Sequence, residues 1–134
     1  MNRSVDDLIM SARHSLTDAA IAQTAHDRYA RAHLAALRAA AAVIAAQAQP
    51  DRSRKKVRSV WAVLPEMAAE FTEWAEFFAA GARKRSLAMA GGACVGHREA
   101  DDLVRSAEEF LMRVCAHIGI GYQAPLISGL RCAS

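Results

Sequence analysis

The chain has 134 residues, a one-domain length that can bury a single core without staples. Its three cysteines, Cys94, Cys115 and Cys132, lack C-x-x-C spacing and are odd in number, and its longest apolar run, "AAAAVIAA" at residues 39–46, is less than half of the roughly 20 residues a membrane span needs. A disulfide scaffold and an integral membrane protein are therefore excluded, and the formal net charge of +3 is too mild to name a partner.

Alanine fills 31 positions, and 14 of the 17 basic residues are arginine, biases that suggest a GC-rich bacterial genome and favour helix. The N-terminus, "MNRSVDDLIM", puts two acids where a signal peptide needs an apolar run, so the expectation is a soluble protein of the cytoplasm. No stretch alternates like a strand. Four stretches repeat apolar residues at steps of three and four, the period of a helix.

The first helix is expected at about 4–22, with Val5, Leu8, Ile9, Ala12, Leu16 and Ala19 on its apolar face, Ser4 as cap and Asp7 near its positive end. The second carries Ala30, Leu34, Leu37, Ala41, Ile44 and Ala48, opens with a cap at Thr24 and Asp27, and closes before Pro50. Its core-facing positions are mostly small, so its neighbours can approach closely.

A third stripe, Val60, Leu64, Met67, Phe71, Trp74, Phe78 and Gly81, predicts a short turn from Ser59 and then a main helix with Pro65 in its first turn. Phe71, Trp74 and Phe78 are the large anchors expected against the alanine side of the second helix. After "MAGGACVG", the fourth stripe is Ala100, Leu103, Val104, Ala107, Phe110, Leu111, Val114 and Ile118, with Arg98–Asp102 and Glu109–Arg113 pairs on its outer face. The fold class is all-α, an up-and-down bundle of four to five helices over residues 1–118, followed by a loosely packed tail at 119–134.

Two basic clusters stand out, "DRSRKKVR" at residues 51–58 and "RKR" at 83–85. Each reads as a solvated loop or helix end, or as a phosphate-contacting surface made by Arg52, Arg54, Lys55, Lys56 and Arg58. A helix of about 20 residues separates the two clusters by roughly 30 Å, so one small ligand cannot bridge them within a chain. Arg28, Arg31 and Arg38 fall within about 80° of arc on the second helix and can present one basic stripe.

Familiar enzyme chemistry has little support. No glutamate has a histidine three residues later, so a di-iron centre lacks ligands, and the acidic series Glu66, Glu70, Glu73 and Glu76 reads as a solvated face. "AGGACVGH" lacks the closing Gly-Lys-Ser/Thr of a P-loop, and there is no G-x-S-x-G elbow. No metal and no cofactor is expected.

The segments "RYARAHLAALRAAAAVIAA", "SVWAVLPEMAAEFTEWAEFFAAGARKR" and "HREADDLVRSAEEFL" together resemble the HEPN superfamily (higher eukaryotes and prokaryotes nucleotide-binding), and within it a small Ala/Arg-rich stand-alone family of high-GC Gram-positive bacteria. The resemblance covers roughly residues 5–118. It implies an all-α bundle, often a homodimer, in a superfamily rich in RNA-cleaving toxins and in partners of nucleotidyltransferases. Catalytic members carry an R-x-x-x-x-H motif whose arginine contacts phosphate and whose histidine assists attack by a ribose 2′-hydroxyl, and Arg28 with His33 is the pair of that spacing here.

Five residues at 100° each set Arg28 and His33 roughly 140° apart around one helix, which places His33 toward the apolar side. A lone histidine there also reads as a hydrogen-bonded core residue, with Tyr29 and His26 as helix neighbours. His97 and Arg98 form a second candidate, an anion site at a helix start. The functional expectation is a HEPN module that binds RNA, a nucleotide or a protein partner, with a metal-independent endoribonuclease and a structural homodimer as the alternatives.

Overall fold

The computed structural model describes residues 3–47, 58–90 and 94–121. Helix α1 spans Arg3–Ile21 and α2 spans Ala25–Gln47. Between them Thr24 accepts a hydrogen bond through Oγ1 from the Asp27 N–H at 3.1 Å, which satisfies one of the free donors of the first turn of α2. The expected cap of α1 differs: that helix begins at Arg3, so Ser4 lies inside its first turn.

Helix α3 spans Val60–Met67, a 3₁₀ turn occupies Ala69–Phe71, and α4 spans Thr72–Met89. This corrects the expected turn followed by one main helix. Ser59 caps a real helix by accepting from the Trp61 N–H at 3.2 Å, and Pro65 sits near the end of it rather than at the start of the next. Proline cannot donate to the Trp61 carbonyl, and three residues later Ala68 takes an extended conformation (φ −149°, ψ 93°) that ends α3 and turns the chain.

The turn re-sorts the aromatic stripe. Phe71 and Phe78 are buried as expected, but Trp74 is only partly buried, and Trp61 takes the core position instead, stacked on Phe78 with ring centroids 5.1 Å apart. Trp74 and the half-exposed Phe77 line an open groove of about 440 Å³ with Glu73, Ser106 and Arg113.

Helix α5 spans His97–Ile118. Its expected stripe is the buried face from Ala100 to Val114, because one-sided packing on water's edge makes the pattern unambiguous. On its outer face Arg113 pairs with Glu109 at 3.0 Å, whereas Asp102 pairs with Arg105 rather than with Arg98. Gly119 at φ +94° ends the helix, its N–H bonding the Cys115 carbonyl at 2.9 Å, a conformation that glycine adopts without strain. Ile120, within the expected tail, packs against the core, and residues 122–134 lie outside the described residues.

Helix α2 is the centre of the bundle and packs against α1, α3, α4 and α5. Its buried residues are Ala25, Tyr29, Ala32, His33, Ala35, Ala36, Ala39, Ala40, Ala42 and Val43. The stripe expected on it is instead a partly buried flank at Ala30, Leu34, Leu37, Ala41 and Ile44, and its last member, Ala48, lies outside the described residues. A central helix needs small side chains on several sides, so its bulkier residues mark the edges and not the core. No described helix is long and apolar enough to cross a membrane.

Candidate functional site

Arg28 leaves α2 at its first turn and reaches back to the end of α1. Its Nε donates to the Ala19 carbonyl at 3.2 Å, one terminal nitrogen donates to the Ala22 carbonyl at 2.9 Å, and the other meets Asp101 of α5 at 2.5 Å. The last carbonyls of a helix have no partners within it, so this guanidinium caps α1 and ties it to α5. All three of its nitrogens are engaged.

His33 lies one turn further along and is 4% exposed. Its Nε2 is 2.8 Å from the Phe78 carbonyl. A carbonyl only accepts, so Nε2 carries the proton and donates. Edge-on contacts to Trp61 and Phe78 enclose the ring. Burial pushes the imidazole below its ordinary pKa, partly offset by the bond to Phe78 and reinforced by the charge of Arg85. His33 is therefore held neutral inside the bundle, while Arg28 is committed to the joint between α1 and α5.

The remaining arginines of α2 face α1. Arg31 pairs with Asp27 at 2.9 Å and approaches Asp18 at 3.6 Å, and Arg38 donates to the Ser15 hydroxyl at 3.0 Å. The stripe exists, but it runs along a seam with partners at each step. Arg58 forms a two-pronged pair with Glu66 at 3.0 and 2.6 Å, and this carboxylate raises the guanidinium pKa further. Arg52, Arg54, Lys55 and Lys56 lie outside the described residues.

His97 and Arg98 are exposed in the first turn of α5. The residue before them, Gly96, supplies no side-chain cap. The neighbouring Glu99 pairs with Lys84 of α4, which brings the 83–85 cluster beside this helix start. Sequence reasoning kept these two features apart.

It also missed what joins them to α2. Tyr29, one turn before His33, is buried, and its hydroxyl lies against Gly81 of α4. A Cβ on Gly81 would come within 3.1 Å of that hydroxyl and 3.4 Å of the His33 ring, so the glycine lets α2 and α4 close together here. Burial raises the Tyr29 pKa, with Glu99 adding to the rise and Lys84 and Arg85 opposing it. The available signal was Gly81 ending an otherwise apolar stripe.

No group of three or more His, Cys, Asp or Glu side chains among the described residues is placed to hold a metal ion. Cys115 is buried, and desolvation pushes its thiol up, away from the reactive thiolate.

Residues 19–115 match a protein family described as SAV_6107-like HEPN. The match begins at the last residues of α1 and takes in α2 to α5 up to Cys115. No curated protein and no solved structure shows significant similarity to the chain.

Proposed function

The chain belongs to the SAV_6107-like HEPN family, and from that membership we propose that it is an interaction module that binds RNA or a nucleotide through its basic side chains without cleaving it. The observation that carries this reading is the engagement of Arg28 and His33. A general base must reach the proton it takes, and His33 is buried with Nε2 turned to the Phe78 carbonyl. A phosphate-binding arginine turns its fork to the ligand, and Arg28 has a donor on each of its three nitrogens committed to Ala19, Ala22 and Asp101.

Binding in place of cleavage assigns the contacts to the exposed Arg83 and Arg98 and, from the sequence alone, to Arg52, Arg54, Lys55 and Lys56. A homodimer and a protein partner such as a nucleotidyltransferase are compatible with this role and place no demand on His33.

The test is a mixed pool of labelled RNAs incubated with the purified protein in EDTA, beside the Arg28→Ala and His33→Ala variants, with retention on a filter measured across a salt series. The expected result is retention that weakens with salt and no cleavage. Cleavage by the wild type that is lost in both variants while they remain folded would replace this reading with a metal-independent endoribonuclease.

A further inference from the structure

The three cations at the end of α4 are placed differently. Arg83 is exposed, and Lys84 is neutralised by Glu99. Arg85 is partly buried, and its Nε is shut off from water without a hydrogen-bond acceptor; it is the one such buried side-chain nitrogen or oxygen among the described residues. No carboxylate among the described residues pairs with it. A guanidinium offers five donors and cannot shed its charge, so removing it from water with a donor unmet is costly.

The surroundings of Arg85 make the missing acceptor specific. One turn earlier on α4, Gly81 admits the Tyr29 hydroxyl and the His33 edge, and the charge of Arg85 acts on both of those groups. Tyr29, raised above its usual pKa, keeps its proton and is a hydrogen-bond donor. Lys84 is held on the α5 side by Glu99. This corner between α2, α4 and α5 combines a guanidinium, a phenol and an ammonium, which are all donors, and its carboxylate is already taken.

We propose that Arg85 is the anchor of an oxyanion site, with the Tyr29 hydroxyl beside it, that takes a phosphoryl group. The planar fork of arginine fits the oxygens of a phosphoryl group two at a time, and a multiply charged anion gains most where the unneutralised charge is positive. The site deepens the proposed function and rests on it for the source of the phosphoryl group, which is a nucleotide or the backbone of an RNA. Arg28 and His33 take no part in it.

The experiment follows the Arg85 Nε–Hε signal by nitrogen-15 NMR in the full chain, titrated with inorganic pyrophosphate at constant ionic strength. Separate arms use a nucleoside monophosphate and a short oligoribonucleotide without a terminal phosphate. A saturable shift of the Arg85 signal is expected with pyrophosphate; by calorimetry the affinity is expected to fall roughly tenfold to a hundredfold in Arg85→Gln and to stay unchanged in Arg105→Gln, whose guanidinium is exposed on α5 and paired with Asp102. The wild-type signal reports on the site even where the Gln variant folds poorly, and Arg85→Lys then keeps the charge while removing the fork.

A wild-type signal that does not move, or an Arg85→Gln protein that binds pyrophosphate as the wild type does, overturns the site. The arms separate this failure from that of the proposed function. Pyrophosphate binding at Arg85 without RNA or nucleotide binding keeps the site and removes the functional reading, whereas RNA retention that survives Arg85→Gln with a silent Nε signal does the reverse.

Discussion

The bundle holds together in two different ways on the two sides of α2. Most of the contact of α2 is with α1 and α5, and its own buried residues are mostly alanines such as Ala36, Ala39 and Ala40, so larger side chains of the neighbours, Leu16 and Leu103 among them, close on a helix with little relief. Against α3 and α4 the contact is made by Trp61, Phe71 and Phe78 with Phe110 of α5, and a histidine, a tyrosine and a glycine fill what the rings leave. Close packing of small groups is regular along the helix, whereas packing of large rings leaves corners, and the buried His33 and Tyr29 sit in those corners.

The two sides should therefore fail in opposite ways. The largest effect is expected from Phe78→Ala, which empties a fully buried site in contact with five other rings and should cost about 3–5 kcal/mol in chemical denaturation. On the alanine side deletion has nothing to remove, and addition is the damaging change. Ala39→Leu should cost about 1–3 kcal/mol by overpacking a site with no exposed surface, while a leucine at exposed Ala80 should change stability by under about 0.5 kcal/mol.

Arg28→Ala tests the joint between the sides. It removes the donors to Ala19 and Ala22 and the partner of Asp101, and should cost about 1–3 kcal/mol, whereas Asp101→Asn, at a half-exposed carboxylate, should cost under about 1 kcal/mol. Equal losses from the two changes would mean that the ion pair, rather than the helix cap, carries the contribution of Arg28.

The smallest effect is a slope in pH. His33 is neutral in the folded state with its pKa lowered from 6.5, so the unfolded chain takes up a proton at higher pH than the folded one. The contribution of His33 is fully present above about pH 6.5 and is lost as pH falls from there toward its folded pKa. Denaturation midpoints measured from pH 8 downward should fall less steeply in His33→Gln, whose amide can still donate to the Phe78 carbonyl but does not titrate.

Helix α5 was legible from its residues because one face meets the bundle and the other meets water, so apolar spacing and burial coincide at Leu103, Ala107, Phe110 and Val114. The buried residues of α1 likewise follow its stripe through Val5, Ile9, Ala12, Leu16 and Ala19. Helix α2 was legible as a helix but not in its orientation. Alanine is compatible with core and surface alike, and the leucines that seemed to mark the core mark the flanks of a helix surrounded by four others.

The candidate sites divide along the same line. His33 on the apolar side of its helix could be read from spacing alone, but its acceptor lies forty-five residues away on α4. The basic cluster at 83–85 and the start of α5 were each visible, yet neither sequence stretch shows that Lys84 meets Glu99 while the Nε of Arg85 is buried without an acceptor.

What the sequence by itself determined is the all-α class, the helix starts marked by Thr24 and Ser59, and family membership, because these depend on spacing and capping within a few residues. The tertiary structure decided which face of α2 is inside, which tryptophan is in the core, and which arginines are committed to the fold. Those outcomes depend on partners that are distant in sequence, and a buried charge or ring is settled only by what closes over it.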